Sequence, residues 1–139
     1  MKQVFADTSF YIALVRPDDE NHQDSLEFDR GFGGQYLTSE FVLIELGNWL
    51  ADPHNRGVFL EICRVLRSDP RTIILPATAE WIARGLALYG QRMDKHWSFT
   101  DCISFAMMEH DGVTEALTSD RHFVQAGFRT LLGSSGKQR

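Results

Sequence analysis

Three aspartates lie where the sequence passes from one predicted element to the next. Asp7 follows the apolar residues 4–6, Asp120 follows a predicted strand at residues 115–118, and Asp101 opens a predicted helix. In an open α/β sheet, ligands gather outside the carboxyl ends of the strands. Carboxylates crowded at such an edge repel one another unless they are protonated or bind a cation. Our hypothesis is that these acids form a divalent-metal site with Asp7 as one wall.

A fourth acid, Glu45, interrupts an apolar stripe on the helix that Ser39 is predicted to cap. The apolar residues of that stripe are Phe41, Val42, Leu46 and Trp49. A charged residue is seldom buried unless it is paired. Glu45 is therefore predicted to point inward at a cation, and the alternative is a side chain at the edge of the stripe that reaches water.

Each aspartate also has a purely structural interpretation as a helix cap. Asp101 fits a capping box with Ser98, and Asp7 and Asp120 each fit an N-cap position. Caps are common, so no single aspartate is diagnostic. Their joint placement on one predicted edge is the stronger indication of a site.

The donor types indicate which metal such a site would take. Carboxylate oxygens favour Mg²⁺ or Mn²⁺ over zinc. The histidines offer no zinc-like pair and are not proposed as ligands: His22, His54, His96, His110 and His122.

Alternating predicted strands and helices indicate an α/β fold. Strands are predicted at residues 3–6, 35–37, 72–75, 115–118 and 129–132. Helices are predicted at residues 9–14, 21–29, 56–67, 78–92 and 98–109, with others following Ser39 and Ser119. Helices between successive strands favour a parallel sheet with right-handed crossovers. Residues 1–133 are predicted to form one domain, and residues 134–139 a flexible polar tail.

Apolar stripes on two further helices are predicted to pack in the core, because helical spacing of large apolar side chains usually marks a buried face. The first comprises Val58, Ile62, Val65 and Leu66. The second comprises Trp81, Ile82, Leu86 and Tyr89.

Composition narrows the class of protein. A net charge of −5 in 139 residues argues against a protein that coats nucleic acid by bulk charge, although a local basic rim stays compatible with it. Cys63 and Cys102 are expected to be reduced core thiols. No apolar run approaches the length of a membrane span, and a cytoplasmic protein is expected.

The acidic positions and their neighbours resemble the successive motifs of PIN-domain ribonucleases, close to the branch of VapC-like toxins. The resemblance covers essentially the whole chain in the right order, and its C-terminal motif is the most specific part. The segments that carry it are residues 5–9, Glu45 with Asn48, residues 97–102, residues 117–123, residues 125–128 and Leu131-Leu132.

This resemblance implies a three-layer sandwich with a mainly parallel sheet of about five short strands. It also implies Mg²⁺- or Mn²⁺-dependent cleavage of RNA, with metal-binding and catalytic roles for Asp7, Glu45, Asp101 and Asp120. Polar positions beside the site are Thr8, Ser9 and Thr118. Candidate phosphate contacts are Lys95, Arg121 and His122, with His96 and Arg129 as further neighbours.

The resemblance further suggests a homodimer and a partner antitoxin. Two other functions stay open from the residues alone. One is a haloacid-dehalogenase-type phosphatase with Asp7 as nucleophile, although Ser9 occupies the position where that class usually has a second acid. The other is a non-catalytic module that binds RNA or a protein through an acidic pocket.

Overall fold

Short buried runs of the sequence form a five-stranded parallel sheet in the computed structural model, which describes residues 1–133. The spatial order is β3-β2-β1-β4-β5, and all four pairings are parallel. The strands are β1 (Gln3–Ala6), β2 (Gln35–Ser39), β3 (Thr72–Leu75), β4 (Glu115–Leu117) and β5 (Arg129–Thr130). The predicted parallel sheet is confirmed. The predicted tail, residues 134–139, lies outside the described residues.

Helices occupy the connections between the strands, because parallel strands cannot be joined by tight hairpins. Residues 1–133 contain seven α-helices and one short 3₁₀ turn, Pro53–Asn55. The helices are α1 (Thr8–Val15), α2 (His22–Gly31), α3 (Glu40–Trp49), α4 (Arg56–Ser68), α5 (Ala79–Gln91), α6 (Phe99–Asp111) and α7 (Arg121–Gln125). The α/β sandwich predicted from the sequence is confirmed. No helix within residues 1–133 combines the length and apolar character that a membrane span requires.

The helices that carry the acidic residues begin at the caps predicted from the sequence. The Ser39 hydroxyl accepts a hydrogen bond from the Val42 backbone N–H at 3.2 Å. Ser98 and Asp101 form a complete capping box at the start of α6. Because an N-cap satisfies backbone donors that have no partner within the helix, each cap fixes where its helix starts.

An aromatic cluster joins α6 and α7 to the central strand. Phe105 on α6 meets Phe123 on α7 edge to face with ring centroids 4.9 Å apart, and Phe123 lies 6.4 Å from Phe5 on β1. All three side chains are buried. This packing holds the first residues of α6 and α7 in place relative to the end of β1.

Gly85 allows α5 to lie directly against α6. A methyl group at this position would lie 2.4 Å from Cγ1 of Ile103, a separation that real side chains do not reach. The close contact anchors α6 against α5. It therefore contributes to the fixed position of Asp101 at the beginning of α6.

Several apolar residues predicted to lie in the core are exposed, and for these the prediction was wrong. Trp49 on α3 is 61% exposed, and Leu86 on α5 is 56% exposed. The other exposed members of the predicted stripes are Val58, Val65, Ile82 and Tyr89. Helical spacing identifies an apolar face, but it does not say whether another part of the same chain covers that face.

Candidate active site

The site lies where the connections out of the sheet diverge. From β1 the chain moves sideways to β2 and then β3, whereas β4 pairs with β1 on the opposite side. Asp7 is the first residue after β1, and Thr118 is the first after β4. The two loops are joined directly, because the Asp7 N–H donates to the Leu117 carbonyl at 3.3 Å. Such a switch point is the preferred ligand position in open α/β sheets.

A cavity of about 320 Å³ opens at this point and brings together all four predicted carboxylates. Asp7 comes from the β1–α1 junction, Glu45 from α3, Asp101 from α6 and Asp120 from the loop before α7. The other residues that line it are Thr8, Ser9, Ile12, Trp49, His96, Ser98 and His122. The predicted convergence of remote acids is therefore present in the fold.

Asp7 is buried, and its side chain is turned away from a capping role. Its Oδ2 accepts a hydrogen bond from the Thr118 hydroxyl at 3.0 Å, rather than from the described backbone N–H groups of the first turn of α1. Burial raises the pKa of Asp7 to about 7, and the charges of Glu45 and Asp101 raise it further against the lowering effect of the nearby Thr8 N–H. The Asp7 carboxylate is therefore poorly stabilised by the protein alone.

Asp101 belongs to the capping box of α6 and also lines the cavity. Its Oδ2 accepts the Ser98 N–H at 3.1 Å within the capping box, and His122 Nδ1 lies 3.2 Å from the same oxygen. Among the described contacts both use Oδ2, so Oδ1 is the oxygen available to a cation. Burial raises the pKa of Asp101, as does the charge of Asp120, whereas the contacts with Ser98 and His122 lower it.

Asp120 likewise combines a cap with a position in the cavity. Its Oδ1 accepts the His122 N–H at 2.9 Å, as predicted for an N-cap of the short helix α7. Its own N–H donates to the Thr118 hydroxyl at 3.1 Å. The Asp120 side chain can therefore cap α7 and line the cavity at the same time. Hydrogen bonds on either side of Asp120 hold the loop between β4 and α7 in place.

Glu45 points inward, as the interrupted apolar stripe predicts. It is half-buried, and its Oε1 accepts a hydrogen bond from the Thr8 hydroxyl. That bond ties α3 to the first residue of α1. The Glu45 carboxylate therefore lies beside Asp7, whose pKa reflects its charge.

Three hydroxyl side chains support these carboxylates. Thr8 donates to Glu45, and Thr118 donates to Asp7. Because the Thr118 proton is used in that bond, Ser9 must be the donor in its 3.1 Å contact with the Thr118 oxygen. Thr8, Ser9 and Thr118 thus orient the acids, which is the placement that the sequence predicted for them.

His122 is the residue whose position the sequence did not reveal. It was predicted only as a candidate phosphate contact, yet its Nδ1 lies 3.2 Å from Asp101 Oδ2 and 3.4 Å from Asp120 Oδ1. Asp101, Asp120 and His122 each offer one possible ligand atom within 4.8 Å of the others. The sequence held one indication of this position for His122, which lies two residues after Asp120 in the first turn of α7.

The lysine and arginine residues predicted to contact phosphate do not line the cavity, whereas His96 and His122 do. Arg121 is exposed at the start of α7. Lys95 Nζ lies 3.7 Å from Asp94, in the loop before α6. Arg129 pairs with Glu115 at the amino end of β4, which is the end away from Asp120. Contacts between RNA and Lys95, Arg121 or His122 stay predictions.

The donor set fits a hard divalent cation. Carboxylates from four segments face one cavity, and burial together with mutual repulsion leaves Asp7 with a raised pKa. A bound Mg²⁺ or Mn²⁺ would relieve this repulsion, and carboxylate oxygens are the ligands these ions prefer.

Loss of the Ser98 hydroxyl is expected to weaken both the helix and the metal site. Replacing a serine N-cap by alanine costs about 1 kcal/mol of stability, and here it also releases the backbone N–H of Asp101. We expect Ser98→Ala to lower Mg²⁺ affinity by about tenfold, because groups that orient a metal ligand have effects of that order. Urea denaturation and calorimetric Mg²⁺ titration measure the two effects.

Thr78→Ala provides the matched control, since Thr78 caps α5 through the Trp81 N–H and does not line the cavity. It should lose similar stability and keep its Mg²⁺ affinity. Equal Mg²⁺ affinities in Ser98→Ala and the wild-type protein would contradict the predicted link between the capping box and the site.

Clustered carboxylates at the switch point of a parallel α/β sandwich fit the chemistry of metal-assisted phosphodiester hydrolysis. Comparison with known proteins specifies the family. The PIN domain model matches residues 4–129, so the chain belongs to the PIN-domain family. The chain is also 30% identical over 131 residues to the 23S rRNA-specific endonuclease VapC20 of Mycobacterium tuberculosis, covering 90% of this chain and 95% of that protein.

Solved structures share the same fold. The crystal structure of M. tuberculosis VapC20, described as a sarcin–ricin-loop-cleaving toxin, superposes with a TM-score of 0.84 at 24% identity, covering 94% of this chain and 99% of that one. DNA-bound VapBC from Salmonella typhimurium gives a TM-score of 0.67 at 15% identity, covering 94% and 97%. The predicted VapC-like PIN nuclease is confirmed, and these findings do not support the phosphatase or the non-catalytic binding module.

Proposed function

We propose that this protein is a Mg²⁺- or Mn²⁺-dependent endoribonuclease that cleaves 23S rRNA and acts as the toxin of a toxin–antitoxin pair. The observation that carries the proposal is the cavity at the β1–β4 switch point, where Asp7, Glu45, Asp101 and Asp120 meet. The rRNA substrate is supported by a relative named for that activity, to which the chain is 30% identical over nearly its whole length.

The four carboxylates would hold the metal, and a bound dication supplies a nucleophilic water at neutral pH and stabilises charge on the phosphate. The chain itself supplies a rigid frame for this chemistry. Thr118 holds Asp7 Oδ2, Thr8 holds Glu45, and the capping box holds Asp101. Because each acid is oriented by an additional hydrogen bond, the donor oxygens need little rearrangement to bind the cation.

The rRNA assignment is tested by incubating the protein with purified ribosomes and with naked 23S rRNA, followed by primer extension. We expect a discrete cut that requires Mg²⁺ or Mn²⁺ and disappears in EDTA. Asp101→Asn should lower the rate by at least about 100-fold, since metal-assisted charge stabilisation contributes several kcal/mol.

Asp111→Asn is the control for that experiment, because Asp111 is an exposed acid at the far end of the same helix. It should cleave like the wild-type protein. The proposal fails if 23S rRNA is not cut in Mg²⁺ or Mn²⁺, or if Asp101→Asn cuts as fast as the wild-type protein.

Partner binding belongs to the same proposal. Structural neighbours include VapBC and FitAB toxin–antitoxin complexes. Large apolar side chains on α4 and α5 are exposed, among them Leu60 at 66% and Leu86 at 56%. Exposed apolar surface of this kind marks protein interfaces. We therefore assign the protein a homodimeric state and an antitoxin partner in the cytoplasm, and sedimentation of the purified protein tests the dimer.

A further inference from the structure

Trp49 carries the largest apolar ring on α3, and this ring is exposed at the candidate active site. Helical spacing placed it in the core, yet 61% of its surface is accessible. It lies one turn after Glu45 on α3 and lines the same cavity as the four carboxylates. The other large apolar residue of that lining, Ile12, is only 8% exposed. Trp49 is therefore the apolar surface that a molecule in the cavity would meet.

The charges of the cavity restrict how it can hold a nucleotide. Its lining includes Asp7, Glu45, Asp101 and Asp120, and none of the described residues that line it is a lysine or an arginine. A dication held by the carboxylates would therefore attract phosphate there, a task that no lysine or arginine of the described lining performs. Contacts that orient the rest of the nucleotide must be largely uncharged, and stacking on an aromatic ring is the usual way in which proteins hold an unpaired base.

We propose that Trp49 stacks against a base of the RNA next to the phosphodiester that is cleaved. This inference rests on the proposed ribonuclease activity, and it makes Trp49 a positioning residue rather than a catalytic one. Its place on α3 links the stacked base to the metal site, because the same helix carries Glu45 four residues earlier. A base on Trp49 would set which phosphate lies over the carboxylates.

An RNA base fits this position better than a protein partner does. The exposed apolar side chains of α4 and α5 do not line the cavity that Trp49 lines. Trp49 shares its surroundings with carboxylates and with the exposed imidazole of His96 instead. Burial of Trp49 in a dimer or antitoxin interface is the alternative outcome of the test.

The test compares Trp49→Ala, Trp49→Phe and Ile44→Ala on a stem–loop RNA that carries the 23S rRNA sarcin–ricin loop. Ile44 is 58% exposed on the same helix and does not line the cavity, so it is the matched control. We expect kcat/KM to fall about 5- to 150-fold for Trp49→Ala, the range known for loss of one base–aromatic stack. Trp49→Phe should stay within about threefold of the wild-type value, because a ring remains.

A series of stem–loops that each lack one base identifies the stacked position. Removal of that base should slow the wild-type protein and have no further effect on Trp49→Ala, since the two changes delete the same contact. The stabilisation by Mg²⁺ should be unchanged in Trp49→Ala. That result separates a positioning role from damage to the metal site.

Two outcomes would overturn the inference. One is wild-type kcat/KM in Trp49→Ala. The other is a loss that is the same for every base removed and accompanies a change in molecular mass, which would assign Trp49 to a protein interface. If the wild-type protein fails to cut the stem–loop, 23S rRNA and ribosomes, the proposed function fails instead. Cleavage by the wild-type protein with no dependence on Trp49 refutes only the stacking.

Discussion

Asp7→Asn is expected to make the metal-free protein more stable and to abolish its activity. Burial raises the pKa of the Asp7 carboxyl from an ordinary 3.8 to about 7, so at pH 8 the folded chain holds a buried negative charge next to Glu45 and Asp101. A carboxyl whose folded pKa is raised favours folding below about pH 4, and this contribution is lost as the pH rises to about 7. Asparagine keeps the shape of the side chain and removes the charge.

The size of this effect follows from the shift in pKa. One pKa unit corresponds to about 1.4 kcal/mol, so a shift of about three units sets an upper limit of roughly 4 kcal/mol. We expect about half of that, or an increase of roughly 5–10 °C in melting temperature at pH 8 in EDTA. The difference between the two proteins should shrink as the pH falls from 7 towards 4 and vanish below that, because the wild-type carboxyl is then neutral in both the folded and the unfolded state.

Cleavage should respond in the opposite direction. Loss of one charged metal ligand is expected to reduce the rate by at least about 100-fold. Thermal scans in EDTA and rRNA cleavage in Mg²⁺ provide the two measurements, with the exposed Asp24→Asn as a control that should change neither. A variant that melts below the wild-type protein at pH 8, or that still cleaves RNA at the wild-type rate, would contradict this prediction.

Metal binding is expected to depend steeply on pH in the wild-type protein. A dication binds the ionised carboxylates, so protons compete with it wherever a ligand titrates. Because burial raises the pKa of Asp7 to about 7 and also raises that of Asp101, this competition extends to near-neutral pH. Affinity for Mg²⁺ should fall about tenfold per pH unit below pH 7 and level off above it.

Calorimetric titration between pH 5.5 and pH 8 measures the affinity, and buffers of different ionisation enthalpy count the protons released. About one proton should leave per metal bound near pH 6, since the Asp7 carboxyl is mostly protonated there. Stabilisation at a metal concentration of 100 Kd should reach about 2.7 kcal/mol at pH 8 and disappear in acid. An affinity that is the same at pH 6 and pH 8 would show that the carboxylates do not titrate as a metal site.

The predictions for Asp7→Asn and for pH-dependent metal binding have one common cause, the repulsion among buried carboxylates. Buried like charges destabilise the metal-free fold, and the same charges would favour binding of a dication. The position of the site explains why the fold tolerates them. The three aspartates lie at or near the start of a helix, and hydrogen bonds from protein donors partly stabilise the carboxylates. The Thr8 hydroxyl donates to Glu45, the Thr118 hydroxyl to Asp7, and the Ser98 backbone N–H to Asp101.

Local chemistry explains which parts of the protein were predictable from the sequence. The strand β1 and the capping box of α6 depend on residues adjacent in the chain, and both were predicted correctly. Asp7, Asp101 and Asp120 were identified because strand ends and helix starts are local signals, and a parallel topology places them on one edge. Glu45 was identified because a charge within an apolar stripe conflicts with its surroundings.

Contacts between distant segments could not be predicted in this way. His122 shows the same first-turn pattern as many helical residues, and only the packing of α7 on α6 brings its imidazole to Asp101. Trp49 belongs to an apolar stripe by spacing, yet α3 ends at the rim of the cavity, so the ring is exposed there. The stripes of α4 and α5 indicate an apolar face without indicating what covers it.

The sequence by itself therefore determined the order of elements, the parallel α/β class and the four acids, because these depend on spacing and on neighbours along the chain. Only the tertiary structure decided that Asp7 is buried without a capping role, that His122 joins the acids and that Trp49 is exposed beside them. The physical reason is that burial and electrostatics depend on which remote segments share a volume, and spacing along a helix or strand carries no information about that volume.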